Sequence, residues 1–314
     1  MNTPQSTPIP QQAFDWYDEY AHGLIDRRTF MRNLGGLTAL GFSMSVLTAA
    51  LLPNYAFAEQ VSFNDDAIKA TYTEFDSPDG HGKGRGYLVV PKDLNPKRPV
   101  VLVIHENRGL NPYIEDVARR LAKVGFIAFA PDALFPLGGY PGNDDEGRAM
   151  QKTMDEAKIR HDFVAAARFL KSHPHSNGKL GAVGFCFGGY IVNYLAAVDA
   201  ELLSAAVPFY GTPASADLRK NIKAPLLIHL AEQDKRVNDS WPEYEQDLKA
   251  NKVEYTMHMY KDAQHGFHND STARYDKENA ELAWQRTLAF FNKKLMLRSS
   301  DMNLLNCCHE NRDT

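Results

Sequence analysis

The stretch Lys179-Leu180-Gly181-Ala182-Val183-Gly184-Phe185-Cys186-Phe187-Gly188-Gly189-Tyr190 decides how the chain is read. It opens as a short apolar strand and runs into an apolar helical segment, residues 191–197. Between the two stands Gly184-x-Cys186-x-Gly188, the spacing of a nucleophile elbow with sulfur in place of a serine oxygen. So tight a strand-to-helix turn strains the backbone of its central residue, and its near neighbours must lack side chains. Gly184 and Gly188 satisfy that, and Gly189 lets the helix pack close to the strand. The turn also places Cys186 at a helix N-terminus, where the dipole favours a thiolate. The competing reading is a buried, inert cysteine in a Gly-rich turn.

Outward from this turn, β-like and helix-like segments alternate. Residues 71–75 and 85–90 read as antiparallel strands, joined through Asp76-Ser77-Pro78-Asp79-Gly80. Residues 99–105 and 126–130 are continuous apolar runs, the mark of strands buried on both faces. An amphipathic helix, 114–124, lies between them and ends at Gly125. Residues 134–147 read as a long loop, 146–171 as one long helix, and 203–209 and 225–231 as strands. A helix over 240–250, a strand over 253–260 and a closing helix over 274–295 complete the pattern. Such alternation predicts an α/β fold: a mostly parallel sheet with helices on both faces, and ligands bound beyond the carboxyl ends of the strands.

A cysteine nucleophile needs a base and an orienting acid. Asp234 follows the strand 225–231, and His265 follows the strand ending at Tyr260. Singly neither is persuasive: an Asp after a strand is usually a turn former, and His258 or His268 could replace His265. Together, nucleophile, acid and histidine stand at successive strand ends in the order of an α/β-hydrolase.

These residues carry a family resemblance over about residues 82–295. It is densest in Pro174-His175-Ser176-Asn177-Gly178-Lys179, Gly184-Phe185-Cys186-Phe187-Gly188-Gly189, Asp234 and Ala263-Gln264-His265-Gly266-Phe267. The chain resembles dienelactone hydrolase (carboxymethylenebutenolidase). The resemblance implies an α/β-hydrolase fold and a Cys186, Asp234 and His265 triad acting on the ester bond of a small lactone or activated ester, with no cofactor and no metal. It implies that Glu106, in Val103-Ile104-His105-Glu106-Asn107, helps generate the thiolate, and that Phe187 and Asn107 supply the oxyanion hole. It also implies two arginines for a substrate carboxylate. Arg148 matches the first; the second position, four residues after His265, holds Asn269, with Arg274 nearby. A thioesterase or acyl-transfer role, and a non-catalytic ligand-binding relative, are the alternatives. Peroxide chemistry lacks a resolving cysteine in the body of the chain.

Composition bounds partners and compartment. In 314 residues the formal net charge is −4, and no basic block stands in the folded part, which argues against nucleic acid. Of three cysteines only Cys186 lies in the body, so the core and not disulfides must hold the fold. Asp26-Arg27-Arg28-Thr29-Phe30-Met31-Arg32, the diluted apolar run 34–52 and Ala56-Phe57-Ala58 follow signal-peptide order and resemble a twin-arginine export signal. That reading makes residues 1–58 a leader for the twin-arginine machinery, places residues 59–298 in the periplasm, and limits membrane contact to the leader. An uncleaved anchor over 34–52 and a buried N-terminal helix are the alternatives. Residues 299–314, with Cys307, Cys308 and His309, read as a disordered tail rather than a metal site.

Overall fold

The computed structural model describes residues 9–21, 24–44, 47, 51, 55 and 58–296. The two predicted antiparallel strands are β1 (Ile68–Ser77) and β2 (Gly82–Pro91), paired from Ile68↔Pro91 to Ser77↔Gly82. The first continuous apolar run is β3 (Arg98–Ile104), buried from Pro99 onward. Asn111 then caps a helix by accepting from Ile114 N, with Pro112 in the first turn. This helix is α3 (Pro112–Lys123); among the described residues α1 (Gln11–Ala21) and α2 (Arg27–Leu37) precede the sheet. Next come β4 (Ile127–Pro131), α4 (Asp144–Lys152), α5 (Glu156–Lys171), β5 (Ser176–Phe185) and α6 (Phe187–Val198). The chain continues through β6 (Ala205–Phe209), α7 (Ala216–Arg219), β7 (Leu226–Gln233), α8 (Lys235–Asn238), α9 (Trp241–Ala250), β8 (Tyr255–Gln264) and α10 (Lys277–Leu295).

The eight strands form one sheet in the order β1-β2-β4-β3-β5-β6-β7-β8. β2 meets β1 and β4 antiparallel; every later pairing is parallel. The period of two along a strand sorts its apolar residues to opposite faces. Val101, Val103 and Val183 join a core under α3 and α10, with Ile114, Leu121 and Phe291. Val100, Leu102, Ile104, Leu180 and Ala182 join a second core under α5 and α6, with Phe163, Leu170 and Leu195. Truncating one of these buried leucines to alanine costs about 2–5 kcal/mol, a large share of the stability of an ordinary domain.

Three expected elements differ. The single helix over 146–171 is two helices, because the chain leaves the helix after Thr153 and Asp155 caps α5, accepting from Ala157 N and Lys158 N. The first of them begins at Asp144, inside the expected loop, capped by Asn143. β8 runs to Gln264 instead of stopping at Tyr260, because the pairing with β7 resumes at Gln233↔Gln264 after an irregularity. The closing helix starts at Lys277, where Asp276 accepts from Asn279 N, so Arg274 stays in the preceding loop.

The N-terminal helices form a small unit of their own. Ala13 and Tyr17 of α1 pack against Phe30, Leu34 and Leu37 of α2. The unit docks on the sheet's carboxyl end, with Gln264 Nε2 donating to Gln11 Oε1 and Arg108 Nη1 donating to the Tyr17 hydroxyl. Among the described residues no helix is long and apolar enough to cross a membrane. Ala56, Phe57 and the tail 299–314, with Cys307 and Cys308, lie outside the described residues.

Candidate active site

Five neighbouring parallel strands deliver their next residues to one end of the sheet. β3 delivers Glu106 and Asn107, β5 Cys186, β6 Tyr210, β7 Asp234 and β8 His265. Cys186 has φ 58° and ψ −114°, a strained conformation for a residue with a Cβ, and it stands directly before α6. Its N–H donates to Phe209 O at 3.1 Å. The flanking glycines are sterically required: a Cβ on Gly184 would lie 2.2 Å from Gly188 O, and one on Gly188 would lie 2.2 Å from Ile104 O.

Asp234 is buried and caps the short helix α8 through Val237 N, which holds its carboxylate in place. Its Oδ2 lies 2.6 Å from His265 Nδ1. That contact fixes the imidazole's orientation and leaves Nε2 on the far side of the ring. The rival histidines are elsewhere. His268 is buried against Tyr113 and Trp284, and His258 lies within β8 beside His229.

Glu106 is buried, and burial pushes its carboxyl pKa up, opposed by the nearby Arg108 guanidinium. Arg108 Nε stands 3.8 Å from Glu106 Oε2, while its Nη1 donates to Asp144 Oδ2 at 2.9 Å. Asn269 Nδ2 donates to Glu106 Oε2 at 3.0 Å. The amide's orientation is set by Ser271, whose N–H and hydroxyl both donate to Asn269 Oδ1. Thus the position that lacks the expected arginine still holds the carboxylate, as a neutral donor. His105, kept neutral by burial, accepts from Ala133 N at Nε2 and so carries its proton on Nδ1, which donates to Glu106 O. Because the peptide is planar and trans, pinning that carbonyl also fixes the direction of the Asn107 N–H.

α1 lies across this end of the sheet. A cavity of about 520 Å³ is lined by Asn107, Arg148 and Phe187 on one side and by Tyr20, Asp26 and Arg27 on the other. A second, of about 310 Å³, is lined by Asp234, His265 and Arg274 and by Gln11, Phe14 and Asp15. The Tyr17 ring sits 5.0 Å from the Arg274 guanidinium and 6.0 Å from that of Arg108. Tyr20 stacks on Arg148 at 4.1 Å, and Arg148 also pairs with Asp145.

With this geometry in view, the comparisons with known proteins decide the family. The sequence model of the dienelactone hydrolase family matches residues 85–295, two thirds of the chain. The chain belongs to the dienelactone hydrolase family. A carboxymethylenebutenolidase-like protein of Aquifex aeolicus is 36% identical over 225 residues, covering 68% of this chain and 94% of that one. The protein named as hydrolase fragment YghX of Escherichia coli is 62% identical over 105 residues, 33% of this chain and 90% of that sequence. The structure of a dienelactone hydrolase-like protein of Klebsiella pneumoniae superposes with a TM-score of 0.61 at 28% identity, covering 71% of this chain and 98% of that one. Like its family, the chain is an α/β-hydrolase acting on carboxylic ester bonds. A second model, described as YqhI-like, matches residues 1–38.

Sequence reasoning named Cys186, Asp234, His265, Glu106, Asn107, Phe187 and Arg148, and all lie at the sheet's carboxyl end. It left Arg274 open; the guanidinium reaches the site, so that a Cβ on Gly266 would stand 3.1 Å from its Nη2. Arg108, the charge partner of Glu106, was missed, although it stands two residues after Glu106 in the same loop. Tyr210 was missed too; the strand-end signal that found Asp234 and His265 applies equally to Phe209-Tyr210-Gly211.

Proposed function

We propose that this dienelactone hydrolase-family chain cleaves a small lactone or activated ester through an acyl-enzyme on Cys186. The observation that carries the reading is the buried 2.6 Å Asp234–His265 pair, one sheet end shared with a cysteine on a strained elbow at a helix N-terminus. Glu106 draws off the thiol proton, which passes to His265 Nε2 to form the imidazolium, and the α6 dipole favours the thiolate that results. Glu106 suits that task because burial raises its affinity for a proton. The sulfur attacks the acyl carbon. The N–H groups of Phe187 and Asn107 receive the developing oxyanion. Asp234 holds the His265 ring while Nε2 gives a proton to the leaving oxygen, and water then cleaves the thioester.

Substrate charge follows from the cations around the site. Arg148 lines one of the two cavities and Arg274 the other, both buried, and a substrate carboxylate would pair with a guanidinium in either. We therefore assign an anionic lactone as the preferred substrate class. The N-terminal segment is assigned to twin-arginine export, since Arg27 and Arg28 are both exposed on α2.

The test is a burst assay. p-Nitrophenyl acetate mixed with the protein at neutral pH should release nitrophenol in a burst stoichiometric with enzyme, and Cys186→Ala should lose the burst while keeping the fold. No burst from the wild type, together with no alkylation of Cys186 by iodoacetamide, would replace this reading with a ligand-binding one.

A further inference from the structure

We propose that the Tyr210 hydroxyl is a further catalytic group, the hydrogen-bond donor that holds the substrate's leaving oxygen beside His265. The proposal rests on the acyl-enzyme reading of Cys186. Its ground is placement. Tyr210 directly follows β6, the strand between the one that delivers Cys186 and the one that delivers Asp234. Its backbone N–H donates to His229 O at 2.7 Å, extending the ladder one residue past the strand. Its φ is 37°, a left-handed conformation that tyrosine adopts only under constraint. The ring comes to rest 4.9 Å from the His265 ring, at 55°, with Phe267 at 5.5 Å and Phe185 at 6.3 Å.

The hydroxyl is fully buried, and among the described residues no protein group hydrogen-bonds to it. Other buried tyrosines here are paired: Tyr113 with His268, Tyr17 with Arg108, Tyr244 with Asn193. Among the described residues Tyr210 is the one tyrosine with a buried hydroxyl that lacks such a partner. Burying a phenol unpaired is costly, and structures tolerate it where a ligand completes the bond. The groups that face the hydroxyl electrostatically are Glu106, Cys186, Arg274 and Arg108, all at the site. Burial holds the phenol pKa well above its ordinary value, so the O–H stays intact as a donor.

Which substrate oxygen it takes follows from the division of labour. The carbonyl oxygen goes to the backbone donors at Phe187 and Asn107. The leaving oxygen departs on the side of His265, where Tyr210 lies. As sulfur bonds to the acyl carbon and the acyl C–O bond breaks, the leaving oxygen takes its proton from the His265 imidazolium. The Tyr210 O–H stays hydrogen-bonded to that oxygen and keeps its own proton, so Tyr210 offsets charge without changing the proton count.

Tyr210→Phe keeps the ring and its packing and removes only the donor. The readout is kcat/KM, which reports acylation, for phenyl acetate and p-nitrophenyl acetate in wild type and variant. Nitrophenoxide leaves readily, whereas phenoxide carries more charge on oxygen and needs the donor. The expected result is a loss at least roughly tenfold greater on phenyl acetate than on p-nitrophenyl acetate. The nitrophenyl burst should stay stoichiometric with enzyme and Cys186 should still be alkylated, because the donor sets the rate of acylation and not the number of acylating sites. Equal losses on both esters would overturn the assignment in favour of a packing role, and no loss on either would overturn it outright. A wild type without a burst would instead overturn the acyl-enzyme reading beneath it.

Discussion

At the scale of single residues, the buried histidines set the protein's response to acid. His268 is hydrogen-bonded to the Tyr113 hydroxyl at 2.6 Å, and burial, reinforced by the charge of Arg120, pushes its pKa down to about 3. The unfolded chain binds this proton near pH 6.5, and the folded chain only near 3, so protons favour unfolding between those values. The stability His268 contributes is complete above pH 6.5 and is lost as pH falls toward 3. From pH 7 to pH 5 the loss is about 2 kcal/mol for this one group. His229, whose pKa burial also lowers well below the ordinary value, adds to the slope in the same direction. His268→Phe should therefore lose less stability than wild type between pH 7 and pH 5, by about that 2 kcal/mol, read from urea midpoints. Parallel losses in the two proteins would mean that His268 titrates in the fold as it does in water. The sequence could not rank His268 against His265, because the two differ only in what lies across space: Trp284 and Tyr113 against one, Asp234 against the other.

At the scale of elements, apolar period and strand-end chemistry carried most of the reading. β3, β5, β6 and β7 were legible because each is a short apolar run closed by turn residues, and Cys186 and Asp234 were legible because each follows such a run, while His265 was legible from its order after them. The break between α4 and α5 was not, since Met154 and Ile159 prolong the apolar pattern across it and only the Asp155 cap marks the restart. The end of β8 was not, because few of its residues are buried and the strand borders the sheet. α2 was ambiguous for another reason: an export signal and a docked amphipathic helix share a composition. Asp26 accepts from Thr29 N at 2.7 Å and caps the helix, which leaves Arg27 and Arg28 exposed in its first turn. Arg27→Lys with Arg28→Lys keeps charge and helix propensity alike. The double variant should fold normally yet accumulate in the cytoplasm, as fractionation of producing cells would measure. Normal export of the pair would remove the twin-arginine assignment.

At the scale of the whole molecule, the N-terminal helices and the hydrolase sheet act on one another. Tyr17 and Tyr20 cover the guanidinium groups of Arg108, Arg148 and Arg274, and α1 lines both cavities that reach the site. The Klebsiella structure aligns over 98% of its length with 71% of this chain, and the family match begins at residue 85. Removal of residues 1–42 should therefore leave a folded protein with an uncovered mouth. That cut spares Tyr55, whose hydroxyl donates to Asp144 Oδ1 at 2.6 Å and so steadies the Arg108 partner. Iodoacetamide should alkylate Cys186 in the shortened chain at least roughly tenfold faster than in the full chain, the equivalent of about 1.4 kcal/mol of cover removed. Tyr17→Ala in the full chain should give part of that gain, because Tyr17 anchors α1 on Arg108 and Arg274. If the helices are also a cleaved leader, cutting them away after export would open the site only where the enzyme is to work. Equal alkylation rates in full and shortened chains would mean that α1 lies over the mouth without restricting it.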